Sequence, residues 1–411
     1  MKCIYKLAPD YTVVARSEHP QTEFLGSPGL CKLPDGSILA THDVYPDGKK
    51  PYGIAFRSTD GGNTWVKMAE YPFYHARPFL AGKSLYILGH QGDLTVLRSD
   101  DLGLTWGEPV KLTDGQDWHQ APTNYVYANG CIYLVMERSV YSDCAAWNVS
   151  TLAPVLMRGK VDADLTKREN WTFASELAFR DLVNDISGDA PFGVPFYATK
   201  AKENVTISET PSVRKCAPIG WLETNVVQFH DPDHIWYDES GHTFHLWMRA
   251  HTGKTGYAAI LQVKEMPDGS LVTQPVLAPS GKPIVYLPFP CGQMKFHIVY
   301  DEVSRLYWLL GTQATDSMIR PEAMPATRYG LPDNERQRLV LHFSKNCVDW
   351  CFAGLVDAAE PPVGSRHYAS MAIDGEDLLI LARSGDAMAK SAHNGNLITY
   401  HKIPNFRELI Y

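Results

Sequence analysis

Short apolar runs separated by turn residues recur along the whole chain, a pattern that predicts β-strands joined in hairpins rather than long helices. Six turns stand out: Leu33-Pro34-Asp35-Gly36, Ala81-Gly82-Lys83, Ala128-Asn129-Gly130, Asp238-Glu239-Ser240-Gly241, Asp301-Glu302-Val303-Ser304 and Asp374-Gly375-Glu376-Asp377. Each joins two apolar segments, as in Cys131-Ile132-Tyr133-Leu134-Val135-Met136 or Leu378-Leu379-Ile380-Leu381. The spacing predicts an all-β chain of about six four-stranded antiparallel units, with room for a seventh in the weakly patterned stretch 176–222. Units of this kind in series read as a β-propeller: one domain over 1–411, with a loop-rich insertion at about 176–222. Pairing Tyr11–Arg16 with Leu397–His401 closes the ring and leaves no free edge.

A second repeat supports the first. Ser58-Thr59-Asp60-Gly61-Gly62-Asn63-Thr64-Trp65 and Ser99-Asp100-Asp101-Leu102-Gly103-Leu104-Thr105-Trp106 both read S-x-D-x-G-x-T-W, and Ser344-Lys345-Asn346-Cys347-Val348-Asp349-Trp350 is a worn copy. Ser and Asp are expected to satisfy backbone amides in a hairpin turn, Gly to supply the turn dihedral, and Trp to fill the gap between units. In a four-stranded antiparallel unit the first and third turns share a face. The long connections 138–152, 176–222, 313–338 and 384–396 therefore all fall on the opposite face, where a rigid scaffold would carry a binding site.

Composition narrows the function. With 45% hydrophobic residues and 20% charged, the chain is not of the disordered class, and a net charge of −8 argues against a nucleic-acid binder. No run approaches the roughly 18 apolar residues of a membrane span. The N-terminus carries no apolar signal-like core, so a cytoplasmic protein is expected. The eight cysteines are scattered without a C-x-x-C and read as buried thiols.

The strand ends on the loop face carry candidate chemistry. His42-Asp43, His90, Arg138, Arg249 and Arg383 end second strands, and His75, Arg77, His119, Glu223, Arg366, His367 and Tyr368 begin first strands. Converging ends would place many of these round one central well. Arginine pairs a sugar carboxylate, while histidine, amide and carboxylate bind hydroxyls or move protons. His230-Asp231-Pro232-Asp233-His234 reads as a turn cluster rather than a metal site. No cofactor and no metal are expected, since no G-x-G-x-x-G, Walker, H-E-x-x-H or G-x-S-x-G motif occurs.

The S-x-D-x-G-x-T-W turns resemble the Asp box of the sialidase-like ("BNR repeat") propellers. The segments Gly220-Trp221-Leu222-Glu223-Thr224-Asn225, Met294-Lys295-Phe296-His297-Ile298-Val299-Tyr300-Asp301 and Asn405-Phe406-Arg407 look like a bacterial, carbohydrate-active branch of that family. The resemblance runs over roughly residues 21 to 408. It implies a carbohydrate-active enzyme in which Glu223, Arg249 and Tyr368 stand in for the sialidase Glu, second Arg and Tyr. The sialidase Arg-Ile-Pro that opens blade one is here Gly26-Ser27-Pro28. The histidines also resemble, in residue type, those of propeller rhamnosidases and uronate lyases. The expected activity is an exo-acting glycosidase on an acidic or deoxy-sugar glycan; the alternatives are a lyase cleaving a rhamnose–glucuronate linkage and a non-catalytic sugar-binding propeller. Oligosaccharide is the expected partner, with no nucleic acid and no membrane. His42 with Asp43 is the first candidate for proton transfer, and Glu223 with Tyr368 the second. Arg249, Arg366 and Arg383 form the expected carboxylate clamp, and His75, Arg77, His90, His119, Arg138 and His367 line the well.

Overall fold

The middle strands of the units are apolar on both faces. In Ile38–Pro46, Ile38, Ala40 and Val44 pack into one cluster while Leu39 packs into another, because successive side chains point to opposite faces. A sheet with two apolar faces must lie between two others. The computed structural model, which describes residues 5–144, 147–183, 205–207, 214–216, 219–252, 256–317, 319, 323 and 334–411, shows that arrangement. Six antiparallel sheets follow one another as the blades of a propeller, their innermost strands being Glu23–Lys32, Tyr74–Ala81, Trp118–His119 with Tyr125–Ala128, Gly220–Val227, His297–Asp301 and Ser365–Asp374. Six apolar clusters lie between successive blades, and the one joining Leu379, Leu381 and Tyr400 to Leu25, Leu30 and Ile38 seals the last blade to the first. Trp221, Trp247 and Trp308 are among the largest fully buried side chains. Each such aromatic removes roughly 150–250 Å² from water, an upper bound of about 4–6 kcal/mol.

The ring closes as the sequence predicts. Tyr11–Arg16 pairs antiparallel with Leu397–Ile403, from Tyr11 opposite His401 to Arg16 opposite Leu397, and completes the sixth blade. The stretch 176–222 yields no seventh blade among the described residues. It contributes a helical turn, Phe179–Leu182, and a small hairpin of Val205–Ile207 with Arg214–Cys216, before the innermost strand of blade four begins at Gly220.

Register fixes which end of each blade is which. In blade one Lys32 pairs with Ile38 and Ile38 with Ser58 at one end, while Gly26 pairs with Asp43 and Asp43 with Gly53 at the other. The S-x-D-x-G-x-T-W turns thus lie with the short first turns. Ser58 Oγ accepts from Gly62 N (2.9 Å) and Asp60 Oδ1 from Thr64 N (2.9 Å); Ser99 and Asp101 repeat both bonds at 2.8 Å. In the worn copy Asn346 Oδ1 takes the amide of Asp349 (2.8 Å). Each indole reaches toward the preceding blade: Trp65 meets Tyr400 at 5.5 Å and Trp350 meets Phe289 at 5.3 Å.

Among the described residues Cys31, Cys131, Cys291, Cys347 and Cys351 are free thiols. Burial pushes the Cys31 thiol up to about 11. No helix among them is long and apolar enough to cross a membrane. His230–His234 is a turn: Asp231 Oδ1 accepts the Asp233 amide (3.0 Å) and the His234 ring stacks on Phe229.

Candidate active site

Four innermost strands carry a register break near their loop-face end, and each break contains a non-glycine residue in the left-handed region: Ser27 (φ 44°), His75 (53°), Glu223 (59°) and Tyr368 (51°). Such a backbone costs on the order of 1 kcal/mol per residue and turns the side chain out of the sheet's alternation. Three of the four are titratable. Left-handed non-glycine residues also occur in the short turns, as at Leu102, Asn129, Arg305 and Cys347, but among the described residues only these four fall inside an innermost strand, where a turn does not account for them.

Blades four to six supply a cationic half. Arg249 Nη1 donates to the Tyr368 hydroxyl (2.9 Å) and to Glu223 Oε2 (3.3 Å), with Arg249 and Glu223 both buried, and Arg249 Nε donates to Gln293 O (2.7 Å). The Tyr368 hydroxyl and the Glu223 carboxylate thus share one guanidinium nitrogen. Two more guanidinium groups flank the Tyr368 ring, Arg336 at 5.5 Å and Arg383 at 5.8 Å. Arg336 Nη1 donates to His367 Nδ1 (2.8 Å), and Arg383 Nη2 donates to His393 O. Burial, with Glu223 beside it, pushes the Tyr368 phenol up to about 12, and Arg249 and Arg336 pull the other way. Below it, Lys295 Nζ is buried and donates to Ala369 O (2.7 Å), Tyr368 O (3.3 Å) and Ser370 Oγ (3.2 Å); burial lowers its ammonium to about 7.

Blades one to three supply a neutral half. Asp43 Oδ1 accepts the His75 amide (2.8 Å) and Oδ2 the Tyr45 hydroxyl (3.0 Å); that hydroxyl lies 2.9 Å from His75 Nε2, and His75 Nδ1 lies 3.1 Å from His90 Nε2. His119 stands edge-on to His75 at 5.2 Å between ring centres. Burial holds all three imidazoles below their usual range, neutral at pH 7, and pushes the Asp43 carboxyl up to about 7 against its hydrogen bonds. One nitrogen from each of His75, His90 and His119 lies within 4.8 Å of the others, the only such group of metal-ligating type among the described residues.

The sequence candidates divide accordingly. Asp43, Glu223, Tyr368, His75, His90, His119, Arg249 and Arg383 come together round the well. His42 does not: it lies on the face of its strand opposite Asp43, its ring stacks on Phe56 at 5.6 Å, and burial lowers it to about 4. The expectation that His42 transfers the proton is corrected on that geometry. Arg366 is corrected likewise. It points to the rim, where Nε bonds Asp357 (2.7 Å) and the guanidinium covers Tyr11 at 4.7 Å. Arg77 lies at the floor of a separate cavity of about 440 Å³ that opens on the short-turn face, and it is tied to Val135 O (3.2 Å) and Thr123 Oγ1 (2.8 Å). Few charged side chains line that cavity, so the titratable cluster at the other end is the candidate site. Arg138 pairs with Glu176 at the surface, and His367 braces Arg336.

Arg336 and Tyr45 were not among the sequence candidates. Arg336 precedes the third strand of blade five, Arg338–Ser344, and third-strand starts share the loop face by the same antiparallel rule as second-strand ends. The charged Glu335-Arg336-Gln337-Arg338 before an apolar run was the available signal.

No protein-family model and no curated protein sequence matches the chain. Among solved structures, the Hadza microbial sialidase Hz136 superposes with a TM-score of 0.56 at 13% identity, covering 96% of this chain and 68% of its own. The intramolecular trans-sialidase from Ruminococcus gnavus gives 0.54 at 11% identity, with 98% of both chains covered. The Penicillium chrysogenum α-L-arabinanase complexed with arabinobiose gives 0.51 at 11%, covering 98% of this chain and 99% of its own. At these identities the likeness is one of fold.

Proposed function

We propose that the chain is an exo-acting glycoside hydrolase that removes an anionic sugar from the end of a glycan through a tyrosine nucleophile. The observation that carries this reading is the Tyr368 hydroxyl, bonded at 2.9 Å by the same Arg249 nitrogen that holds Glu223, with two further guanidinium groups beside its ring. A neutral phenol is the nucleophile suited to an anionic sugar, because a carboxylate in its place would repel the substrate. A phenol held near 12 needs a base at the moment of attack, and Glu223 is in contact to take its proton. The bond from Tyr368 oxygen to the anomeric carbon forms as the bond to the leaving oxygen breaks. The leaving oxygen takes a proton supplied by the Asp43 carboxyl, which burial holds at about 7, through Tyr45 and His75. Water then attacks the tyrosyl glycoside and releases the sugar; the water's proton restores that acid, and Glu223 returns its proton to the Tyr368 oxygen.

Three arginines round one phenol favour a carboxylate-bearing sugar over a neutral pentose, because the planar guanidinium fork matches a carboxylate and a pentose offers none. The fold shared with a sialidase, a trans-sialidase and an arabinanase supports a glycoside hydrolase, and the arginines carry the choice of an anionic sugar. Arg383 fills in part for the arginine missing at Gly26: a Cβ on Gly26 would meet its Nη1 at 3.4 Å.

The test is a panel of sialyl, glucuronyl, rhamnosyl and arabinosyl oligosaccharides followed by reducing-end release. Turnover of an acidic member, lowered at least about 10²-fold in kcat by Tyr368→Phe with an unchanged melting temperature, is expected. Ultraviolet absorbance from an unsaturated uronate would replace this reading with the lyase. Binding without turnover across the panel would replace it with a lectin.

A further inference from the structure

We propose that His75, His90 and His119 form a binding site for a divalent transition-metal ion, with zinc as the representative.

The tautomers come first. The Tyr45 hydroxyl has one proton and directs it to Asp43 Oδ2 at 3.0 Å, so its oxygen accepts from His75 Nε2–H at 2.9 Å. That leaves a lone pair on His75 Nδ1, which faces His90 Nε2 at 3.1 Å. Two nitrogens held about 2.0–2.1 Å from a tetrahedral zinc are themselves roughly 3.3 Å apart, so the pair already has the spacing of two ligands on one ion. A nitrogen of His119 completes a group within 4.8 Å.

The surroundings are also those of a metal site. A ligating histidine normally donates its other ring N–H to a hydroxyl or carboxylate that fixes its orientation, as the Tyr45–Asp43 chain does for His75. The Tyr74 ring packs 4.6 Å from both His75 and His90 and limits rotation. His75 reaches this position only through its left-handed backbone at φ 53°. Three imidazoles from two adjacent blades leave a fourth position open to water or a sugar oxygen, and imidazole ligands suit zinc and its first-row neighbours better than magnesium or calcium. This departs from the sequence expectation of no metal, because three histidines at 75, 90 and 119 have no ligand spacing that a motif would show.

The test uses the full chain, stripped with a chelator and titrated with Zn²⁺ alone by calorimetry, with Co²⁺ absorption in parallel. One equivalent of Zn²⁺ and a four-coordinate Co²⁺ spectrum are expected. His119→Gln and His75→Gln should each weaken binding at least about tenfold. His242→Gln, a partly exposed histidine away from the well, should leave binding unchanged. Near-UV circular dichroism separates loss of the site from loss of the fold; if His75→Gln fails to fold, the partly exposed His119 carries the comparison. No stoichiometric uptake, or uptake that survives loss of His119, overturns the proposal. Because the readout is binding, either result stands apart from the Tyr368 chemistry.

Discussion

His42 and Asp43 are neighbours in a strand, so only one of them can face the well. The period of two was legible in the sequence and already set the pair apart; which member turned inward depended on packing that no local pattern states. Counting by twos would put Arg366 and Tyr368 on one face; the register break after His367 turns Tyr368 inward and leaves Arg366 at the rim on Asp357, with His367 bracing Arg336. Arg336→Ala is therefore expected to lower kcat/KM on the acidic substrate about 10²-fold or more, while Arg366→Ala lowers the melting temperature and leaves kcat/KM near wild type; steady-state kinetics with thermal melts on both variants checks it. A third residue gives a pH prediction. His245 is buried against Phe229 and Trp236, and burial lowers it from 6.5 to about 3. The unfolded chain binds its proton at a higher pH than the folded one, so stability is lost as pH falls from 6.5 toward 3. His245→Phe should remove that dependence, with a gain in melting temperature over wild type that is larger at pH 5 than at pH 8.

At the scale of strands and turns, the legible parts were those whose chemistry is local. All six first turns lie where Gly, Asp and Asn marked them, because those residues supply the turn dihedral or bond the turn's own backbone. The register breaks at Ser27, His75, Glu223 and Tyr368 were not legible. Their left-handed residues are non-glycine and are held by the ring rather than by neighbours in sequence, and counting by twos fails across each break. The turn at Ser58–Trp65 allows a sharp comparison. Gly61 and Gly62 both have positive φ, but a Cβ on Gly61 meets nothing within 4 Å while one on Gly62 comes to 2.1 Å from Tyr400 Cε1. Gly61→Ala should lose about 1 kcal/mol and Gly62→Ala roughly another 1–3 kcal/mol, read from urea midpoints. Equal losses would mean that the turn, rather than its contact with the sixth blade, sets the effect.

For the whole molecule, stability is divided among six apolar interfaces between blades, and the ring is only as closed as the pairing of Tyr11–Arg16 with Leu397–Ile403. Removing residues through Ser17 should expose the Leu397–Ile403 edge, lower the melting temperature and produce concentration-dependent association in size-exclusion chromatography with light scattering. A peptide spanning residues 5–17 supplied in trans should reverse the association; a monomer without it would show that the interface clusters close the ring unaided. The same pairing orders events on the ribosome. The strand that completes the sixth blade is made first and its partner last, roughly 380 residues apart, so at about 5–20 residues per second they wait on the order of 20–80 s for each other. Tyr368 and Arg383 belong to that last blade, and the cationic half of the well therefore waits until that blade has left the ribosome. Synthesis has to pass Leu397–Ile403 before the well has all its walls.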